Sequence, residues 1–275
     1  MVKQYLNFRI LKKLLLNLII YINDLIIYFL LVARNTNDLD KLKNTKLRIV
    51  SGCDSSHFRS MLQLCNSVLN CDDNLKITIY DLGLTISEIQ QLKKLNNVES
   101  IKEFNFNNYP KFMKLSSPNA GAYAWKPMII EKEMNFSEEL LVWMDAGNTI
   151  TKINKLKNYI VLKGFYSPYS SDTVERWTHY KTLKLLNIND NILKKRNLNA
   201  AIIGFDQSNI EVINFLKFWI DACKKETIIS PIGNNKGNHR WDQSVLTLFF
   251  YTKFNPRFFC KSYTFFNVKI HQDVE

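Results

Sequence analysis

The chain has 275 residues, 46% of them hydrophobic and 23% charged, with only 8 Gly and 6 Pro. That composition can bury a sizeable core, and it excludes disorder, collagen-like repeats and Pro-rich linkers for most of the length. A formal net charge of +12, from 37 Lys and Arg against 25 Asp and Glu, favours anionic partners such as nucleotides and phosphates. The basic residues are scattered and form no unbroken run, so no nucleic-acid tail is indicated. The same Lys, Asn and Ile richness also fits an AT-rich coding sequence. Five cysteines show no CxxC or Cys/His zinc spacing, and an odd number argues against a full disulfide framework. They are read as buried free thiols, with a Cys65–Cys71 bridge as the alternative in an oxidising lumen.

The first element is apolar. Residues 14–33 (LLLNLIIYINDLIIYFLLVA) have about the length of a bilayer span, with Lys3, Arg9, Lys12 and Lys13 before them and Arg34 after. Asp24 at the centre costs about 3 kcal/mol on insertion, and the Leu, Ile, Val and Phe around it return about −4 to −8 kcal/mol. With the two Asn counted, spanning is marginal. Lys13, Asn17, Tyr21, Asp24 and Tyr28 fall on one helical stripe, which suits a helix lying in a membrane surface or pairing within it; a helix packed on the globular part is the alternative. The predicted organisation is a membrane-associated helix over 1–34, a polar linker over 35–46 and a globular domain over 47–275.

From Leu47 the pattern changes. Strands are expected at 47–52, 75–82 and 98–104. Helices are expected between them, at 56–69 and from a capping box Thr85-Ile86-Ser87-Glu88 to about Leu95. This β-α-β-α-β order predicts a parallel sheet with helices on its faces. Residues 105–119 read as a loop and 121–135 as a helix with Pro127 in its first turn. Residues 140–145 (LLVWMD) form the near-continuous apolar run of a buried central strand. A strand over 199–205, a helix over 209–224, a Gly-containing loop over 230–238, a helix over 241–251 and two short strands within 254–268 complete the reading.

Ligands of open α/β sheets bind outside the carboxyl ends of the strands. Asp145 falls at such an end, where a carboxylate needs a partner or a ligand. Asp242, in His239-Arg240-Trp241-Asp242-Gln243-Ser244, falls at a helix start beyond the Gly-containing loop. For both Asp residues the plain alternative is helix or turn capping. His239 and Arg240 are candidates to neutralise a pyrophosphate, and Lys126 in Tyr123-Ala124-Trp125-Lys126-Pro127 is a further phosphate ligand or a solvated surface lysine. No P-loop, GxGxxG, GxSxG or HExxH motif occurs.

In this order the segments SGCDSSHF (51–58), ITIYDLGLTISE (77–88), AYAWKPMII (122–130), LLVWMDAGN (140–148), LNAAIIGF (198–205) and NHRWDQSVL (238–246) resemble the GT-A type nucleotide-sugar glycosyltransferases. The resemblance is to the DUF1647-like group and, more distantly, to family 8. It implies a Rossmann-like mixed, mainly parallel sheet flanked by helices. It also implies a UDP- or GDP-sugar donor and a hydroxyl acceptor on a glycan, lipid or protein. The family's Asp-x-Asp holds a divalent ion, Mn²⁺ or Mg²⁺, on the diphosphate. Here it reads Asp145-Ala146-Gly147, which lacks the second carboxylate, with Asn148 or the late His271 as partial replacements. Asn199 resembles a sugar-contacting Asn, and Asp242 and Gln243 match the Asp-Gln beside the reacting centre. Asp242 would be a base in an inverting enzyme or an orienting group in a retaining one. The broken acidic motif leaves a rival reading, a non-catalytic nucleotide- or sugar-binding module. Localisation follows the helix over 10–33: Golgi or ER single-pass type II in a eukaryote, otherwise the cytoplasmic face of a membrane.

Overall fold

The computed structural model describes residues 45–254 and 263–274, less Asp73 and residues 136–138, together with scattered positions between Leu11 and Phe29. Six strands form the central sheet: β1 (Leu47–Cys53), β2 (Lys76–Asp81), β3 (Val98–Glu103), β4 (Leu140–Met144), β6 (Phe165–Tyr166) and β9 (Ile202–Asp206). Their order is β3-β2-β1-β4-β9-β6. The pairs β3–β2, β2–β1 and β1–β4 are parallel, and β9 runs antiparallel to both β4 and β6. The fold is therefore mixed α/β with a mainly parallel sheet. Two further pairs lie outside it: β5 (Thr149–Ile150) with β10 (Val268–Lys269), and β7 (Tyr169–Thr173) with β8 (Arg196–Leu198).

Strand alternation sorts the core into two faces. Val50, Leu141, Trp143, Ile203 and Phe205 pack against helices α3 (Trp125–Glu133), α5 (Ile210–Cys223) and α6 (Trp241–Phe249). Ile49, Leu140, Val142, Met144 and Ile202 pack against α1 (Phe58–Cys71) and α4 (Asn154–Lys163). Gly204 lies on this second face, where a Cβ would come within 2.4 Å of Ile160 Cδ1, so the close approach of α4 requires the glycine. Helix α2 (Ile86–Lys93) starts at the capping box expected from sequence: Thr85 Oγ1 accepts from Glu88 N, and the Glu88 carboxylate accepts from Thr85 N.

Several expectations shift. The helix expected from Gly121 begins only at Trp125, because Asn119 to Tyr123 all have positive φ. Pro127 still sits in its first turn. The strand expected over 199–205 splits: β8 ends at Leu198, an Asx turn at Asn199 intervenes, and β9 starts at Ile202. Of the strands expected within 254–268, Val268–Lys269 is present, and residues 255–262 lie outside the described residues. Cys53, Cys65, Cys71 and Cys223 are free thiols.

The linker over 35–46 lies almost wholly outside the described residues, as do Lys13, Asn17, Asp24 and Tyr28 of the proposed polar stripe. The positions described between Leu11 and Phe29 are helical. Leu25 touches the α1–α4 core, whereas Leu11, Leu14, Leu15, Leu18, Ile22 and Ile26 are exposed. Among the described residues no helix is long and apolar enough to cross a membrane.

Candidate active site

The carboxyl ends of β1 and β4 open onto a cleft of about 550 Å³. Its walls come from the turn after β4, the start of α3, the Asn199–Ala201 turn, the start of α6 and residues 271–273. Lys126, Asp145, Asn148, Asn199, Arg240, Asp242, Gln243 and His271 all line it. Segments far apart in the chain thus converge because each follows a strand end or opens a helix.

Lys126 is 3% exposed, in the first turn of α3. Its Nζ donates to Ala200 O at 3.1 Å and lies 2.9 Å from Asp145 Oδ1 and 3.3 Å from Asp242 Oδ2. With three acceptors around three N–H groups, this ammonium bridges two carboxylates from different elements. Burial opposes its charge, but the two carboxylates outweigh burial and hold it firmly protonated. Asp145 Oδ1 also accepts from Trp143 Nε1 at 2.7 Å. Asp242 is 4% exposed and meets Lys126 as an ion pair rather than through an aligned hydrogen bond. Burial raises its pKa to about 6; Lys126 lowers it in part and Asp145 adds to the rise. The cluster sets two carboxyl groups around one ammonium, and burial holds the Asp242 carboxyl well above its ordinary range. Asp242 lies in the first turn of α6 rather than at its N-cap, which is Arg240, so the capping alternative in its N-cap form does not hold.

Asn148 Nδ2 donates to Ala201 O at 2.6 Å, while its buried Oδ1 has no hydrogen-bond partner. Asn199 Oδ1 accepts from Ala201 N, and Gln243 Oε1 accepts from Ala200 N, which ties the 199–201 turn to α6. The Arg240 guanidinium lies 4.1 Å over the Trp177 ring, and no carboxylate pairs with it among the described residues. Arg240, with Lys236, gives the cleft a cationic rim.

His239 does not reach the cleft. It is fully buried; Nδ1 accepts from His179 N at 3.1 Å, and Nε2 faces Ile229 O at 2.9 Å. A carbonyl only accepts, so Nε2 carries the proton and the ring is neutral, its pKa lowered by burial to about 4. A neutral imidazole with both nitrogens engaged cannot neutralise a pyrophosphate. It pins the 230–238 loop instead.

The sequence reading missed Asp273. At Gly147 a Cβ would lie 2.1 Å from Asp273 Oδ1. The late carboxylate therefore occupies the space of a side chain at position 147, where the acidic motif is broken. Gln272 N donates to Gly147 O at 2.6 Å and Val274 N to Ser60 Oγ at 2.9 Å, which lays this segment along the turn. No spacing in the sequence signals the contact; only the glycine at 147 hints that something else fills the place.

A family model described as a protein of unknown function, DUF1647, matches residues 21–131. No curated protein matches the chain. Among solved structures the chain is similar to the bifunctional glycosyltransferase WbbM in its apo form, at 16% identity and TM-score 0.50 over 76% of this chain and 38% of that one. It is also similar to the galactosyltransferase LgtC in complex with donor and acceptor sugar analogues, at 13% identity and TM-score 0.50 over 74% and 70% of the two chains. GlyE of Streptococcus pneumoniae TIGR4 matches at 15% identity and TM-score 0.45 over 76% and 44%. The chain thus spans under half the length of WbbM and GlyE. At these identities the likeness establishes the fold, a GT-A-like α/β domain. The family model and the fold both meet the resemblance carried by the sequence motifs.

Proposed function

We propose that this chain is a glycosyltransferase that moves a sugar from a UDP- or GDP-linked donor to a hydroxyl of a glycan, lipid or protein acceptor. The observation that carries the reading is the Asp145–Lys126–Asp242 cluster in the cleft, in which Lys126 and Asp242 are buried, Asp145 is partly exposed, and burial raises the pKa of Asp242. In an inverting reaction the acceptor oxygen attacks the anomeric carbon, its proton passes to Asp242, and the bond to the diphosphate breaks. In a retaining reaction Asp242 orients the donor sugar. Lys126 holds both carboxylates in place, and Arg240 meets the leaving diphosphate. Asn148, Asn199 and Gln243 supply hydrogen bonds to donor hydroxyls.

A divalent cation belongs to this reading, because Asp273 stands where the acidic motif lacks its second carboxylate. Asp145 and Asp273 would hold it with the donor's phosphates, and His271 lines the same wall. Such an ion would offset charge on the leaving diphosphate. Among the described residues no three His, Cys, Asp and Glu side chains group to hold an ion by themselves. That suits an ion bound by one or two carboxylates plus substrate phosphate and water. Residues 10–33 attach the domain to a membrane surface; the exposed apolar side chains of Leu11, Leu14, Leu15 and Leu18 support this.

The test is nucleotide release from a panel of UDP- and GDP-sugars by the full chain, with nucleotide binding followed by thermal shift. Selective turnover that is lost in Asp242→Asn supports the proposal. Nucleotide binding without turnover on any donor would favour the binding module, and absence of both would overturn the nucleotide-sugar reading.

A further inference from the structure

Asn119, Ala120, Gly121, Ala122 and Tyr123 have φ of 56°, 51°, 65°, 54° and 53°, a left-handed run of five residues. Only the glycine and, to a lesser degree, the asparagine adopt this region readily. Packing imposes it: a Cβ on Gly121 would lie 2.2 Å from Met113 O, and Trp125 Nε1 donates to Ala120 O at 3.1 Å. Across the cleft Trp241, the first residue of α6, has φ of 45°. Its Nε1 donates to Asn234 Oδ1 at 2.7 Å, the same oxygen that Asn119 Nδ2 reaches at 3.5 Å. Two strained segments are thus tied to one amide. The product is an aromatic wedge: the Tyr123 and Trp241 rings stand 5.8 Å apart at 44°, and Trp125 stands 6.1 Å from Tyr123 at 49°. All three line the cleft, and Tyr123 is 38% exposed. Strain of this kind, held at a cavity wall, is a mark of a binding surface.

We propose that this wedge seats the acceptor as a pyranose ring, its C–H face on Tyr123 and its reacting hydroxyl toward Asp242. The proposal deepens the transferase reading and, in naming the acceptor, rests on it. The electron-rich face of an aromatic ring attracts the weakly positive C–H face of a sugar. The tilt between the rings leaves a wedge rather than the parallel slot that suits a nucleobase. Lys126 Nζ lies 5.8 Å from the Tyr123 ring centre, so a sugar on that ring stands beside the Lys126–Asp242 pair. Burial, followed by the Asp242 charge, raises the Tyr123 pKa and keeps its phenol a proton donor to a sugar oxygen. Gly52, Asp54 and Leu82, at the carboxyl ends of β1 and β2, line the same cleft and are left for the nucleoside.

The experiment is saturation-transfer NMR and tryptophan fluorescence titration of the full chain with methyl glucoside, galactoside and mannoside, and separately with UDP and GDP. At least one pyranoside should bind and receive saturation on the protons of one ring face. Tyr123→Ala should weaken it about tenfold, Tyr123→Phe should hold it within about threefold, and neither should move nucleotide affinity. Asn234→Ala, which frees Trp241 but keeps every ring, should weaken the pyranoside and spare the nucleotide. Thermal melts confirm that each variant is folded. Absence of any pyranoside binding to the unmodified chain, unchanged binding in Tyr123→Ala, or an equal loss of nucleotide affinity would overturn the subsite. Pyranoside binding that depends on Tyr123, without any nucleotide binding, would keep the subsite and sink the transferase reading.

Discussion

Asp242 owes its chemistry to two conditions met together. It is buried, which favours the neutral acid, and it faces a shared ammonium, which favours the ion; burial wins, and the pKa is raised to about 6. A base must be deprotonated to act, so kcat/KM should rise about tenfold per pH unit up to about 6 and level off above it. Asp242→Asn should lower kcat by about 10²–10⁴-fold while nucleotide affinity persists, and stopped-time nucleotide release across pH checks both. His239 shows the opposite outcome for a titratable group. Its folded pKa, about 4, lies below the ordinary 6.5, so its contribution is complete above 6.5 and is lost as pH falls toward 4. His239→Phe, which removes both hydrogen bonds, should cost about 1–3 kcal/mol in urea unfolding at pH 7.5, with the deficit shrinking toward pH 4. The sequence made the two residues look alike, since both sit in one polar hexapeptide. Only burial and partners separate the proposed base from a loop pin.

Helix α3 is buried on nearly every side and ends on Glu133, whose carboxylate takes Tyr80 Oη at 2.7 Å, Lys102 Nζ at 2.6 Å and Arg48 Nη1. Burial would raise its pKa, but Lys102, Tyr80 and Arg48 together bring it below the ordinary value. Its stabilisation is therefore present above the usual carboxylate range and fades as pH falls through the lowered folded value. Glu133→Gln should destabilise the domain by about 1–3 kcal/mol at neutral pH, because the buried carboxylate that Arg48, Lys102 and Tyr80 share is lost, while Arg48 keeps Glu139 at 3.8 Å and Lys102 is partly exposed. Guanidinium-induced unfolding measures it, and a loss near zero would show that water serves these cations as well. The elements that were legible carry local signals: the capping box at Thr85 and the apolar run of β4. The left-handed run before α3 was not, because four of its five residues are not glycine and nothing in their local pattern signals a positive φ. Residues 149–197 yielded no reading: apart from the ten-residue α4, their four- to six-residue helices and two- to five-residue strands are shorter than a hydrophobic period can mark.

At the scale of the whole molecule the cleft is an assembly of ends. The sheet supplies Asp145, α6 supplies Asp242, and the segment beyond β10 supplies a wall through Asp273 against Gly147. Residues 271–274 are exposed and bury little, so removing them should leave the melting temperature nearly unchanged. Their loss, or Asp273→Asn alone, should erase the part of the UDP-induced thermal shift that needs Mn²⁺ and keep the part that does not. Each part is readable, since a ligand at about 100 times its Kd stabilises by about 2.7 kcal/mol. Equal Mn²⁺ dependence in both forms would remove Asp273 from the ion's ligands. The same wall sets an order of events during synthesis. Asp145 and Gly147 leave the ribosome long before the segment that lies on them. The nascent chain therefore passes through a stage with its turn bare, and Asp273 can take its place against Gly147 only once residue 273 has been made.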